Sequence, residues 1–241
     1  MRLHDFTVLT FDCYGTLIDW EAGITAALQP WLQAHDLALA SDAILEAFAH
    51  HEAAQQAETP SMRYAELLAV VYKRLGRHWN IPATDADATA FGQSIRLWPA
   101  FADTVQALRY LAQHYTLVIL SNVDRASFAA SNRILEVTFD AIYTAEDIGS
   151  YKPDPRNFAY MLAQLAARGI DKAHILHTAQ SLFHDHVPAT AAGLATCWID
   201  RRHAQGGYGA TMPPTAAARI DFRFPSLAAL VAAHQGELDT P

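Results

Sequence analysis

Residues 8–21 read VLTFDCYGTLIDWE. An apolar run, Val8 to Phe11, ends in the carboxylate of Asp12, and Tyr14, Gly15 and Thr16 follow at once. The run predicts a short buried strand, and Gly15 lets the chain bend closely after it. A carboxylate at the tip of such a strand has two readings. It caps a turn, as Asp before a glycine often does, or it is held there for chemistry.

Outward from this stretch, strand-like apolar runs recur: YTLVILSN (115–122), AIYTAED (141–147), HILHTAQ (174–180), ATCWID (195–200) and RIDFRF (219–224). Amphipathic segments separate them. FADTVQALRYLAQH (101–114) puts Val105, Leu108, Leu111 and Ala112 on one helical face. PRNFAYMLAQLAARG (155–169) repeats Phe158, Met161, Leu162 and Leu165 and stops at Gly169. Strands alternating with helices predict an α/β fold, a parallel sheet with helices on both faces. From about Glu21 to Trp98 the alternation stops. ITAALQPWLQAH, DAILEAFAHHEAAQQAE, SMRYAELLAVVYKRLG and DADATAFGQSIRL are helical by pattern, and no strand-like run falls among them. The interval reads as a helical insertion between the first and second strands. AQGGYGATMPP (204–214) reads as a surface loop.

The chain has 241 residues, 51% hydrophobic and 17% charged, which suffices for one sizeable core plus a small second domain. A formal net charge of -8 argues against a nucleic-acid partner. No apolar run approaches a membrane span. The stretch MRLHDFTVLTFD carries charge inside any would-be signal core. The expectation is a cytoplasmic protein with no membrane partner. Cys13 and Cys197 lie in apolar segments and read as buried free thiols.

In open parallel sheets, ligands sit beyond the carboxyl ends of the strands near the topological switch point. Those ends carry Asp12 after the first strand and Ser121 with Asn122 after the second. Lys152 in GSYKPDP follows the third, and Asp185 in QSLFHDH follows the fourth. Singly, Ser121 and Asp185 read equally well as helix caps, and KPDP as a surface loop. Together, an acid, a hydroxyl, a lysine and a second acid at successive strand ends read as one site. A carboxylate can attack carbon or phosphorus and form a covalent intermediate. Lys152 is expected to hold Asp12 ionised and lower its pKa. Thr16 and Ser121 are expected to orient it or the substrate. Backbone N–H groups around Ser121 and Asn122, near a helix start, suit a substrate carboxylate or phosphate.

The stretches FDCYGT, LSN, YKPDP and SLFHDHVPATAAG, in that order, resemble the four motifs of the haloacid dehalogenase-like superfamily. The resemblance covers roughly 5–20 and 100–200, and the helical insertion matches the family's cap in position. It implies a hydrolase with a Rossmann-like, doubly wound core of residues 1–18 and 99–241 and a helical cap of residues 19–98. It also implies that Asp12 is the nucleophile.

Tyr14 selects the branch. Family phosphatases carry a second Asp two residues after the nucleophile, which protonates the leaving oxygen. They bind Mg²⁺ through the nucleophile, a backbone carbonyl and a motif-four Asp. Here those acidic positions are Tyr14 and, four before Asp185, Ser181. Mg²⁺ prefers carboxylate oxygens in an octahedral shell, so no metal or other cofactor is expected. The D-x-Y-G-T form is similar to the metal-free 2-haloacid dehalogenase branch. There the Asp displaces a leaving group from the carbon next to a carboxylate, with inversion, and water then hydrolyses the aspartyl ester. The resemblance implies a small carboxylate substrate, with Lys152 and Asp185 positioning the water. Cys13, Tyr14, Trp20 and Asn122 are candidate substrate-binding residues, and a homodimer is expected by analogy with relatives.

This sequence departs from that branch where the leaving group is handled. The family's cap arginine has no counterpart in AILEAFAHHEAAQQ, where His50, His51 and Glu52 stand instead. A family tyrosine aligns with Phe158 and a family asparagine near Leu182. A halide leaves as a stable anion, whereas an amine needs a proton. A relative in this branch, azetidine-2-carboxylate hydrolase, opens a strained ring at the same carbon by C–N cleavage. His50 and Glu52 are therefore added to the substrate-binding candidates, although a solvated helix face accounts for them equally well. Halide release comes first among the expected reactions and ring opening second. A phosphatase and a non-catalytic binding protein are further alternatives, the latter opposed by the intact Asp12, Lys152 and Asp185 set.

Overall fold

A computed structural model describes residues 1–239. Its centre is a six-stranded parallel sheet in the order β3-β2-β1-β4-β5-β6. The strands are β1 (Val8–Phe11), β2 (Thr116–Ser121), β3 (Ala141–Thr144), β4 (Ile175–Ala179), β5 (Ala195–Ile199) and β6 (Phe222–Phe224). β1 lies between β2 and β4, with Phe11 opposite Ile119 on one side and Thr178 on the other. The chain builds outward from β1 through β2 to β3, then crosses back to place β4 on the opposite side. The switch point therefore falls at the carboxyl end of β1, where a crevice opens in such sheets.

The central strands are buried throughout, as expected for a parallel sheet covered on both faces. Successive residues go to opposite sides. Val8, Val118 and Ile175 pack on Phe158, Met161 and Leu165 of α8 (Pro155–Ala167). Leu9, Phe11 and Leu176 join a second cluster with Leu108 and Leu111 of α5 (Thr104–Leu111) and Leu227 and Leu230 of α10 (Leu227–Leu238).

That second cluster runs on into the insertion through Leu17, Ile18 and Trp98. The insertion holds α1 (Trp20–Ala34), α2 (Ser41–Glu58), α3 (Tyr64–Trp79) and α4 (Asp85–Ser94). Asp19 caps α1 by accepting from Ala22 N–H at 3.1 Å, and Thr84 caps α4 by accepting from Asp87 N–H at 3.1 Å. Trp31 of α1 lies against Tyr72 of α3 at 4.1 Å between ring centroids. Helices α3 and α4 touch so closely at Gly92 that a Cβ there would sit 2.2 Å from the Ala65 carbonyl oxygen. The chain leaves and re-enters the sheet layer side by side, where Ile18 and Ala100 form an antiparallel bridge.

The six strands and four insertion helices fall where the sequence pattern predicts them, the strands with shorter ends and α1 beginning earlier, at Trp20. The run AIYTAED stops as a strand at Thr144. There Thr144 and Asp147 cap each other's backbone N–H groups and start α7 (Ala145–Ile148). The segment 204–214 is not a plain surface loop, since Ala210 and Thr211 are buried. Ala210 N–H donates to Glu21 of α1 at 3.1 Å. Arg202, just before, pairs with Glu21 at 2.5 Å and with Asp42 of α2 at 2.7 Å. The loop thus ties the sheet layer to the insertion. Cys13 and Cys197 are both buried free thiols. No helix among the described residues is long and apolar enough to cross a membrane.

Candidate active site

Asp12 follows β1 directly, and its N–H donates to Thr178 O at 3.2 Å. A compact turn follows, in which the N–H groups of Leu17 and Ile18 both donate to the Cys13 carbonyl, at 2.7 and 3.0 Å. Gly15 adopts φ +93°, and a Cβ there would lie 2.9 Å from Trp20 Nε1. Only glycine meets both conditions at low cost. Thr16 Oγ1 donates to Asp12 Oδ2 at 2.8 Å and accepts from Gln180 N–H at 2.9 Å. Arg201 braces the turn by donating to Thr16 O at 2.9 Å and pairing with Asp103 at 2.8 Å.

Lys152 is 1% exposed. Its Nζ donates to Asp12 Oδ1 at 2.9 Å, Asp185 Oδ1 at 2.6 Å and Leu120 O at 2.9 Å. An ammonium has three donors, and all are used. Asn122 fixes the lysine's backbone, accepting from Lys152 N–H at 2.7 Å and donating to Lys152 O at 2.9 Å. KPDP is therefore no surface loop at Lys152, although Asp154 does cap α8. Asp185 lies on a π-helical turn, Leu182–His186, whose cap is Ser181. Asp185 Oδ1 also meets His177 Nε2 at 3.0 Å, and His177 Nδ1 meets Thr10 Oγ1 at 2.9 Å.

One ammonium thus serves two buried carboxylates. Burial penalises the charge of Asp185, but Lys152 and the His177 hydrogen bond outweigh it and hold that carboxyl well below its ordinary value. Asp12 takes the remainder. Burial, with the nearby Asp185 charge, pushes it up against the pull of Lys152 and Thr16. The expectation that Lys152 simply lowers the Asp12 pKa is corrected: the shared cation lowers Asp185, and desolvation wins at Asp12. Burial pulls Lys152 down, but the two acids more than compensate and raise it.

Above Asp12 is a small cavity of about 20 Å³, room for about one water molecule. Its floor is Asp12, Lys152 and Asp185, and its roof is Trp20 of α1, Glu52 and Gln56 of α2 and Tyr64 of α3. Tyr14, Asn122 and His184 complete the wall. Glu52 is 2% exposed and accepts from the Tyr64 hydroxyl at 2.6 Å. Burial pushes it up to about 7, the Tyr64 bond opposing and the Asp12 charge assisting. The Tyr14 ring faces the cavity, but its hydroxyl reaches Ser131 Oγ at 2.8 Å.

Three expected site residues lie elsewhere. His50 is exposed and does not line the cavity, because residues two apart on a helix point to nearly opposite sides and Glu52 takes the inner one. His51 meets His78 edge to face instead, at 5.3 Å between ring centroids. Cys13 is buried off the cavity, with its thiol pushed up by burial. Ser121 Oγ is buried without a hydrogen-bond partner among the described residues and does not orient Asp12. The helix start near Asn122, that of α6 (Arg125–Leu135), is already capped by Asp124, which accepts from Ser127 N–H at 2.8 Å. Gln56, Tyr64, His177 and His184 escape the sequence reading. Gln56 follows Glu52 at the i+4 spacing of one helix face, and His184 adjoins Asp185, so both had a local signal.

The geometry is that of a carboxylate, buttressed by a lysine, at the switch point of a doubly wound sheet. A family model for haloacid dehalogenase-like hydrolases matches residues 6–178, and the chain belongs to that family. An (S)-2-haloacid dehalogenase from Pseudomonas putida is 33% identical over 106 residues, 43% of this chain. That match spans 45% of the relative's length, less than half of it. Among solved structures, the defluorinating L-2-haloacid dehalogenase Rha0230 superposes with a TM-score of 0.76 at 20% identity, covering 98% of this chain and 99% of that one. The L-2-haloacid dehalogenase from Xanthobacter autotrophicus with chloropropionic acid covalently bound gives 0.72 at 19% identity, covering 96% and 99%. These structures share the fold.

Proposed function

We propose that this hydrolase displaces a leaving group at C2 of a small 2-substituted carboxylate through an Asp12 ester, with halide as the leaving group. In the first half-reaction a carboxylate oxygen of Asp12 bonds to C2 as the carbon–halide bond breaks and the halide leaves with the electron pair. Water then hydrolyses the ester, returning Asp12 and releasing a 2-hydroxy acid. Residues 19–98 act as the cap over the site. Since the cavity of about 20 Å³ is too small for such an acid, the roof must lift to admit it. The proposal includes a cytoplasmic homodimer, for which light scattering gives the mass.

The observation that carries this reading is the pairing of Asp12 with Lys152 at 2.9 Å beside a Tyr14 whose hydroxyl is turned to Ser131. Two residues after Asp12, where family phosphatases keep an acid for the leaving oxygen, stands this tyrosine. The donor set fits Mg²⁺ poorly, because Lys152 occupies Oδ1 of both Asp12 and Asp185. Ser181, at the motif-four position, is committed to Thr211 Oγ1 at 3.0 Å and to the N–H of His184 at 2.9 Å. The test is a single turnover with excess enzyme in H₂¹⁸O, using 2-chloropropionate. Heavy oxygen is expected in Asp12. Unlabelled Asp12 together with EDTA-sensitive phosphate release from phosphate esters would overturn the proposal.

A second reading, opening of the azetidine-2-carboxylate ring by the same route, is favoured by Glu52 alone. A buried acid at about 7 on the cavity roof can protonate a departing ring nitrogen, a task a halide does not pose. Azetidine-2-carboxylate run beside 2-chloropropionate separates the two.

A further inference from the structure

Polar atoms without partners gather at the cavity. Gln56 Nε2, His184 Nε2 and Asp185 Oδ2 are all buried and lack hydrogen bonds among the described residues, and all three side chains line the space above Asp12. An unpaired buried polar atom is costly, so three at one cavity mark where a water or ligand belongs. His184 is 7% exposed and held in place. Its backbone N–H donates to Ser181 Oγ at 2.9 Å, and the Phe183 ring packs 4.9 Å from the imidazole.

On the floor, Lys152 has spent its three protons on acceptors, and the Lys152 and His177 contacts that hold the Asp185 carboxyl well below its ordinary value leave it a weak base. We infer that His184 is a catalytic residue that takes a proton from the water attacking the Asp12 ester and returns it to the departing alkoxide. This rests on the ester route proposed above. The water oxygen bonds to Cγ of Asp12 while one of its O–H bonds breaks toward His184 Nε2. Its second hydrogen faces Asp185 Oδ2. Lys152 Nζ steadies the tetrahedral oxyanion. As the ester C–O bond breaks, the alkoxide oxygen takes the proton from His184, and the hydroxy acid leaves. Asp12 is then a carboxylic acid and loses its proton to solvent as the site opens. Burial pulls His184 down to about 4, with Asp185 opposing and Lys152 assisting, so the imidazole is neutral at pH 7. Asp12, Glu52, Tyr14 and Tyr64 are the other titratable groups lining the same space as His184, Asp185 and Lys152.

The test is rapid acid quench of wild type, His184→Gln and His184→Ala with 2-chloropropionate and with azetidine-2-carboxylate, followed by intact-protein mass spectrometry. Ester formation is expected within a few-fold of wild type in both variants. Ester clearance is expected to slow by roughly 10²–10⁴-fold, so that the adduct accumulates. Added imidazole is expected to speed clearance in His184→Ala. Clearance at the wild-type rate overturns the inference. So does an ester that forms in wild type but in neither variant, because a merely structural or earlier role would slow formation too. No ester in wild type with either substrate overturns instead the Asp12 route on which the inference stands.

Discussion

The floor and the roof of the cavity are built on opposite principles. On the floor, Asp12, Lys152, Thr16 and His177 are tied into one hydrogen-bond network that reaches from β1 across to β4. On the roof, Glu52 has one hydroxyl partner and Gln56 Nε2 has none among the described residues. A closed network fixes geometry before substrate arrives, which favours a step common to every substrate of the site. An open set of polar groups waits for a substrate to complete it, which favours discrimination among leaving groups. On the proposed route, the contrast separates a fixed covalent step from a roof that selects the leaving group.

Breaking the floor has the largest expected effect. Lys152→Met leaves two carboxylates buried without their cation, so stability is expected to fall by about 3–5 kcal/mol, with turnover lost. Urea denaturation reads this, and an unchanged midpoint would show that the network is not what it looks. Asp12→Asn removes the proposed nucleophile and one of two like charges. It is expected to lower turnover by roughly 10³-fold or more with little loss of stability. Wild-type turnover in this variant would exclude Asp12 as the nucleophile.

Glu52→Gln sharpens the comparison at the roof. Glu52 is held near 7 in the folded chain against an ordinary 4.5. The folded state therefore keeps its proton when the unfolded state has lost it. Stability linked to Glu52 is complete below pH 4.5 and is lost as pH rises through 7. Melting temperatures against pH should show wild type and variant alike near pH 4 and the variant more stable above pH 7, by up to about 3 kcal/mol. If halide release is the reaction, the variant keeps it within about tenfold, since an amide still donates a hydrogen bond. Ring opening would instead fall by roughly 10²-fold or more. The smallest effect is expected at Tyr14→Phe, which loses the hydroxyl's bond to Ser131 Oγ and its longer one to the Ser127 carbonyl. Stability should drop by about 1 kcal/mol and turnover stay within about twofold. A tenfold loss of turnover would mean that the hydroxyl swings into the site.

The same division governs what the sequence alone reveals. Asp12, Lys152 and Asp185 are legible because each follows an apolar strand, and parallel register brings strand ends together wherever the chain travels between them. The roof is less legible. HHEAAQQ offers several polar side chains, and only tertiary packing decides that Glu52 and Gln56 turn inward while His50 faces solvent. His177 lies hidden within an apolar strand, where a lone imidazole looks like packing. The charge of Asp12 eludes a pairwise reading for a different reason. Lys152 is shared, and how two acids divide one cation depends on burial and on His177, neither of which is local in sequence.

The bridge between Ile18 and Ala100 has a consequence for how this protein could diversify. The excursion through α1 to α4 begins and ends at adjacent points, so its covalent attachment to the sheet is two neighbouring stems, with the Arg202 and Ala210 contacts to Glu21 and Asp42 as a further clasp. Lengthening, shortening or replacing the excursion need not shift the register of β1 against β2. A graft with junctions at 18 and 100 that keeps Glu21 and Asp42 would thus exchange the roof as a cartridge while Asp12 stays where it is.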